Sequence, residues 1–153
     1  MPNPKLTGIS SITGKIVTIR HATESDMVFI EENLKKYHFD ADDLDPSQFV
    51  VAAENGDIIG FGRLRKTGDV YDIGCVAVIE QQRRRGIGAS IVRHLIEYAP
   101  VRTVYVVTDF VDYFKRLGFT QARNRPKELM HALDIACDVK GKPASLLMAH
   151  ENK

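Results

Sequence analysis

From Cys75 to Tyr98 the chain reads CVAVIEQQRRRGIGASIVRHLIEY, and no other segment restricts the possible folds as tightly. A β-branched run closes at Val78 and Ile79, a short polar link follows, and three arginines with a Gly-x-Gly open an amphipathic helix. That order brings unpaired backbone N–H groups, the positive end of a helix dipole and guanidinium charge to one point, which suits a pyrophosphate. Gly86 and Gly88 have no Cβ to hold an anion off the main chain. The amides from Arg84 to Ser90, through Arg85, Gly86, Ile87, Gly88 and Ala89, are read as the unpaired donors.

The rest of the composition narrows what such an anion site serves. At 153 residues the chain is long enough for one domain with a real core. Lys plus Arg is 21 against 20 Asp plus Glu, a formal net charge of +1, so no global basic excess marks a nucleic-acid binder. The arginines at 83–85 also lack the aromatic platform that single strands require, and no nucleic-acid partner is expected. Cys75 and Cys137 show no C-x-x-C spacing, the five histidines stand at no metal-ligand spacing, and no metal is expected. The first twenty residues lack an apolar signal core, and no run approaches the roughly 18 apolar residues of a membrane span. No membrane partner and a cytoplasmic location are the expectations.

Along the chain, residues 1–14 read as a flexible leader and 15–153 as a single domain. KIVTIR at 15–20 alternates as a strand does. Thr23 followed by Asp26 resembles a capping box ahead of a helix with Met27, Ile30 and Leu34 on its apolar stripe. The acidic segment 38–48 is a loop or short helix broken by Pro46. Strands follow at 49–53, 58–65 and 70–78, turned at Asn55-Gly56 and at Thr67-Gly68-Asp69, and form an antiparallel meander. The helix at 87–99 places Ile87, Ile91, Leu95 and Tyr98 on one face with Val92 and Ile96 beside them. The strand at 101–108 then pairs parallel with 70–78. A short helix at 110–117 capped by Gly118, a helix at 126–137 and a last strand at 144–148 complete the order.

Arg83-x-x-Gly86-x-Gly88, with Val76 to Val78 as the strand before it, resembles motif A of the GNAT acyl-coenzyme A N-acetyltransferases. YFKRLGF at 113–119 is similar to that family's motif B, and the resemblance covers roughly residues 15 to 122 in the family's element order. It implies an α/β GNAT fold, with a mixed, mostly antiparallel sheet of about six to seven strands splayed between the fourth and fifth. It also implies acetyl-CoA as cosubstrate. The pantetheine arm would pair along Val76, Ala77 and Val78, the Val76 amide would polarise the thioester carbonyl, and the pyrophosphate would sit on residues 83 to 90.

Acetyl transfer to an amine requires an unprotonated nucleophile and a proton for the departing thiolate. Asp72 occupies the place of the family's general base and shares a strand side with Gly74, Val76 and Val78 by alternation. Its other reading is a plain strand-start carboxylate. The family's acid is a tyrosine four residues before the motif B glycine, where this chain has Phe114; Tyr113 is adjacent but turned by about 100° on a helix. The aromatic-Phe pair, with VAV and RRxGxG, looks most like the N-acetylglutamate-synthase-type branch. That resemblance suggests an amino-acid α-amine as acceptor, with Arg20, Arg63 or Arg65 as carboxylate clamps. The acidic run Asp40, Asp42, Asp43 and Asp45 suits a cationic acceptor such as a polyamine, or is a solvated loop. Two functions stay open: an N-acetyltransferase acting by direct attack in a ternary complex on an amino acid, polyamine or peptide, or a non-catalytic acyl-CoA sensor. Either is expected as a monomer or homodimer.

Overall fold

Unbroken apolar runs bounded by Gly-containing turns become strands because each buries both its faces. FVVAAE forms β3 (Phe49–Glu54), buried at every position, and DIIGFGRLRKT forms β4 (Asp57–Thr67) after the Asn55-Gly56 turn, both turn residues having positive φ. The computed structural model describes residues 7–11, 16–39, 41–137 and 145–152. Hydrogen bonds order its eight strands β1-β2-β3-β4-β5-β6-β8-β7, where β1 is Thr7–Ser11, β2 Ile16–His21, β5 Val70–Val78, β6 Thr103–Thr108, β7 Thr120–Gln121 and β8 Leu146–Glu151. The sheet is mixed and mostly antiparallel, as expected. The expected six or seven strands omitted β1 and the two-residue β7. Thr7–Ser11, placed in the leader by the sequence reading, pairs antiparallel with β2. The first residue of the strand expected at 144–148 lies outside the described residues.

The chain forms two compact units, one running through Leu64 and over Cys75–Leu95, the other taking Arg65–Gly74 and the chain from Ile96 on. In the first, helix α1 (Met27–Lys36) buries Met27, Ile30 and Leu34 with Phe49, Val51, Phe61 and Cys75. The box the sequence suggested caps the 3-10 turn Glu24–Asp26 that leads into α1: Asp26 Oδ2 accepts from the Thr23 backbone N–H at 2.7 Å and from Thr23 Oγ1 at 3.0 Å. Arg20 on β2 grips the same carboxylate with Nη1 at 2.7 Å and Nη2 at 3.2 Å. The Arg20 guanidinium, then the Thr23 donors, hold the Asp26 carboxyl below its ordinary range against the opposing effect of burial. A carboxylate lowered in the fold contributes stability above its unfolded pKa, and loses it as pH falls through the folded one. Thermal melts are therefore expected to fall below about pH 4. Asp26→Asn should melt lower at neutral pH, by about 0.5–2 kcal/mol, and the gap should close in acid.

β4 alternates between the two faces. Phe61 points into the α1 core, whereas Gly60 and Gly62 face helix α2 (Ile87–Tyr98). A Cβ at Gly62 would stand 2.5 Å from Ile91 Cγ2 and 3.0 Å from Leu95 Cδ1, so the glycine sets how closely α2 rides on the strand. Since Ile91 Cγ2 can move only if the whole buried, β-branched side chain turns about χ1, Gly62→Ala is expected to cost about 1–3 kcal/mol, read by chemical denaturation. Ile87, Ile91, Val92, Leu95 and Ile96 are all buried. Tyr98, expected on this face, is 54% exposed at the last turn of the helix.

In the second unit β5 and β6 pair parallel through Tyr71↔Val104, Asp72↔Tyr105 and Ile73↔Val106. These three pairs are the register among the described residues, although β5 continues to Val78. Helix α4 (Lys127–Cys137) packs Leu129 and Leu133 on Tyr105, Leu147 and Ala149. Helix α3 (Val111–Arg116) ends at Gly118, φ +94°, and buries Phe114 edge-on to Phe119 at 5.2 Å. Phe110, placed inside the helix expected at 110–117, is 69% exposed; it precedes the helix, and its N–H is turned toward Thr108 Oγ1 at 2.9 Å.

Candidate anion-binding site

The link between β5 and α2 is built from the main chain outward. Ile79 N–H closes onto Ile59 O at 2.9 Å, a 3-10 turn spans Glu80–Gln82, and Arg83 is extended. Arg84 (φ +68°) and Gly86 (φ +75°) then enter the left-handed region. For a non-glycine such as Arg84 that conformation costs on the order of 1–2 kcal/mol, so the surroundings must hold it. Successive turns of this kind bring neighbouring N–H groups into one concavity, which is the main-chain geometry that receives anions. Space beside Gly86 is open: a Cβ there would meet no atom within 4 Å. The loop and the first turn of α2 therefore fit a diphosphate.

α2's first-turn donors come from Ile87, Gly88 and Ala89, which have no intrahelical acceptor. Ser90, counted among the unpaired donors in the sequence reading, differs: its N–H and its hydroxyl both donate to Gly86 O at 3.1 Å, because helical bonding has already begun there.

The three arginines, alike in sequence, have three different environments. Arg84 is exposed. Arg83 donates from Nε to Val78 O at 2.9 Å, with its guanidinium 5.8 Å from the Tyr37 ring centroid. Arg85 is half-buried, with Nη2 at 2.6 Å from Glu54 Oε2 and Nη1 donating to Gln82 Oε1. Val76, Ala77 and Val78 are part-exposed on β5, and the Val78 carbonyl already takes the Arg83 bond.

The catalytic candidates fare unevenly. Asp72 is buried, and its Oδ2 lies 3.1 Å from Arg65 Nη2. Tyr113 is 37% exposed, its ring 5.2 Å from that of Phe114, which is buried as core. The arginines weighed as carboxylate clamps are all engaged: Arg20 by Asp26, Arg65 by Asp72, and Arg63 by Gln48 Oε1 at 3.0 Å and the Asp42 carbonyl at 2.9 Å. Cys75 is buried in the α1 core, as its place opposite Val76 on the strand required. The side chain of Cys137 and all of Asp40 lie outside the described set. His94 is half-buried with its ring 5.9 Å from that of His21, whose pKa burial lowers. Among the described residues no group of three or more His, Cys, Asp or Glu could hold a metal, and no helix is long and apolar enough to cross a membrane.

Three contacts of the candidate arginines escaped sequence reasoning: Glu54 on Arg85, Tyr37 under Arg83, and the acidic loop's carbonyls on Arg63. Each joins residues 20 or more apart, and no spacing rule reaches that far. One signal existed, the acidic Glu54 closing an otherwise apolar strand.

A family model described as "Acetyltransferase (GNAT) family" matches residues 16–119. No curated protein matches the chain. Among solved structures, N-acetylglutamate synthase from Neisseria gonorrhoeae, complexed with coenzyme A and N-acetyl-glutamate, superposes with TM-score 0.71 at 20% identity. That match covers 90% of this chain but 35% of the synthase, so the chain spans about a third of that protein. Rv2747 from Mycobacterium tuberculosis, in complex with CoA and NLQ, gives TM-score 0.69 at 22% identity, covering 88% of this chain and 99% of that one. The ribosomal-protein-S18-alanine N-acetyltransferase from Escherichia coli gives TM-score 0.62 at 17% identity, covering 88% and 93%. At these identities the likeness is one of fold.

Proposed function

Because the chain belongs to the acetyltransferase (GNAT) family, we propose that it moves the acetyl group of acetyl-CoA to an amine, holding the coenzyme's diphosphate on residues 83–89. The observation that carries this reading is the pair of left-handed residues, Arg84 and Gly86, leading straight into the first turn of α2 with open space above Gly86. The coenzyme A complexes of the Neisseria and Mycobacterium structures support it.

When bound, acetyl-CoA supplies an activated acetyl group. What remains falls to the chain. The Val76 N–H, on the part-exposed end of β5, is the donor for the carbonyl oxygen where negative charge develops, and such a donor is worth about 2.7–4 kcal/mol of barrier. The backbone of Ala77 and Val78 pairs with the pantetheine arm as an added strand would. Asp72 is the proposed proton acceptor, through a carboxylate that Arg65 keeps oriented. Tyr113, part-exposed at the surface of α3, is the proposed donor to the thiolate, since buried Phe114 has no proton to give.

The acceptor class we favour is an amino-acid or peptide amine. The synthase complex and the alanine N-acetyltransferase support it, while the engagement of Arg20, Arg63 and Arg65 leaves the acceptor's carboxylate no clamp among these three. A second reading, coenzyme A binding without turnover, gains support from the same Asp72–Arg65 pair and from Phe114 at the acid's usual place.

The test is release of free coenzyme A from acetyl-CoA across a panel of amino acids, polyamines and peptide N-termini. Turnover with one class, lost in Asp72→Asn while the variant melts cooperatively and binds coenzyme A, supports both the enzyme and its base. Binding without turnover on any acceptor would leave the sensor.

A further inference from the structure

We propose that Arg85 serves the diphosphate loop as a positioning residue, its guanidinium engaged by Glu54, so that Glu54 itself determines coenzyme A affinity. The inference rests on reading the loop as a diphosphate cradle, and goes beyond it by dividing roles among three adjacent arginines.

Three consecutive arginines beside Gly-x-Gly look like three equivalent phosphate ligands. Their surroundings say otherwise. The side chain of Arg85 is 14% exposed and that of Glu54 is 5% exposed, with 2.6 Å between Nη2 and Oε2. Nη1 donates to Gln82 Oε1 in the 3-10 turn that precedes the loop, and the buried Nε has no acceptor among the described residues. A guanidinium so placed is neutralised by its carboxylate rather than presented to a ligand. Glu54 closes β3 immediately before the Asn55-Gly56 turn, so the pair ties the loop to the β3–β4 hairpin. Arg85 stands between the two left-handed residues Arg84 and Gly86. Anchoring the side chain in the middle fixes the backbone on both sides, which supplies the outside constraint that the strained Arg84 needs.

The sign of one substitution separates this role from direct phosphate binding. A carboxylate near a diphosphate repels it, so if Arg85 were a ligand, Glu54→Gln would liberate the guanidinium and leave binding equal or tighter. If Arg85 positions the loop, Glu54→Gln removes the charge pairing that anchors it, and misplacement of the amides weakens coenzyme A binding by roughly 10–100-fold.

The measurement is calorimetric titration with coenzyme A of the wild type, Glu54→Gln, Arg85→Gln and Arg85→Lys, repeated between about 50 and 400 mM salt. The expected result is weaker binding in Glu54→Gln, with kcat at saturating acetyl-CoA kept within about threefold, the loss appearing in KM. Arg85→Gln should bind as weakly as Glu54→Gln yet keep the wild-type salt dependence, because no phosphate contact has been removed. Arg85→Lys, which keeps the charge and the fold but not the fork, should lie between the wild type and the two neutral variants, and serves if those fail to fold. Unchanged or tighter binding in Glu54→Gln, a flattened salt dependence in Arg85→Gln, or full wild-type affinity in Arg85→Lys would overturn the proposal while the cradle stands. A wild-type protein that ignores coenzyme A would sink both.

Discussion

A Gly86→Val variant is expected to lose coenzyme A affinity by about 100-fold or more while remaining folded, measured by titration calorimetry beside a thermal melt. Two effects add. Valine is β-branched and disfavours the left-handed region, so at φ +75° it costs about 1–2 kcal/mol or drives the loop into another conformation. Either outcome disperses the amides that the loop brings together. The new side chain also fills the space beside Gly86, where a Cβ meets no atom of the chain and a ligand would instead meet the valine. Stability should change little beyond the local strain, since Gly86 is exposed and supports no core contact. A variant that keeps wild-type affinity would show that the ligand does not approach the loop.

Phe61→Ala is expected to cost about 3–5 kcal/mol of stability, measured by urea unfolding, with no direct part in ligand contact. Phe61 is 1% exposed and meets Phe49 and Phe29 edge-on, at 6.2 and 6.4 Å between ring centroids. Truncation removes the ring's burial and both aromatic pairs, each worth about 0.5–1.5 kcal/mol beyond area. It also leaves a cavity under α1 that two flanking strands cannot close. Because the Arg63 end of β4 borders the same ring system, the acidic loop that Arg63 holds should exchange its amide hydrogens faster in this variant.

The contrast between Gly86 and Phe61 marks what the sequence makes legible. Alternation and turn chemistry locate β2 to β6, and the Thr23–Asp26 box is visible because its parts are three residues apart and obey a local rule. Phe61 and Gly62 are adjacent letters in one run, yet one builds the α1 core and the other seats α2; period-two alternation states that directly. β1 and β7 were not legible, since a strand pairing at an edge needs little apolar pattern of its own. Tyr98 was misassigned because helical periodicity says which residues align but not how exposed the last turn is, and Phe110 because the helix begins one residue after it.

At the candidate site the glycines and the start of α2 could be read, whereas the environment of each charge could not. Arg83, Arg84 and Arg85 are one repeated letter, and only folding brings Glu54 to the last of them and Tyr37 to the first. The same limit applies to Asp72, whose strand position is plain from alternation but whose partner, Arg65, sits across the Gly68 turn. Charge pairing is decided by long-range packing, and single-sequence patterns carry little of it.

The most direct test of the central claim is a titration of the 15N-labelled protein with coenzyme A, following each backbone amide. The cradle predicts that the largest shifts and the strongest protection fall on residues 84–89, with a second group at Val76 to Val78, and that Ser90, already bonded to Gly86 O, responds less than Gly88. Saturable binding whose perturbations lie elsewhere, or no perturbation at ligand concentrations that saturate other coenzyme A enzymes, would contradict it.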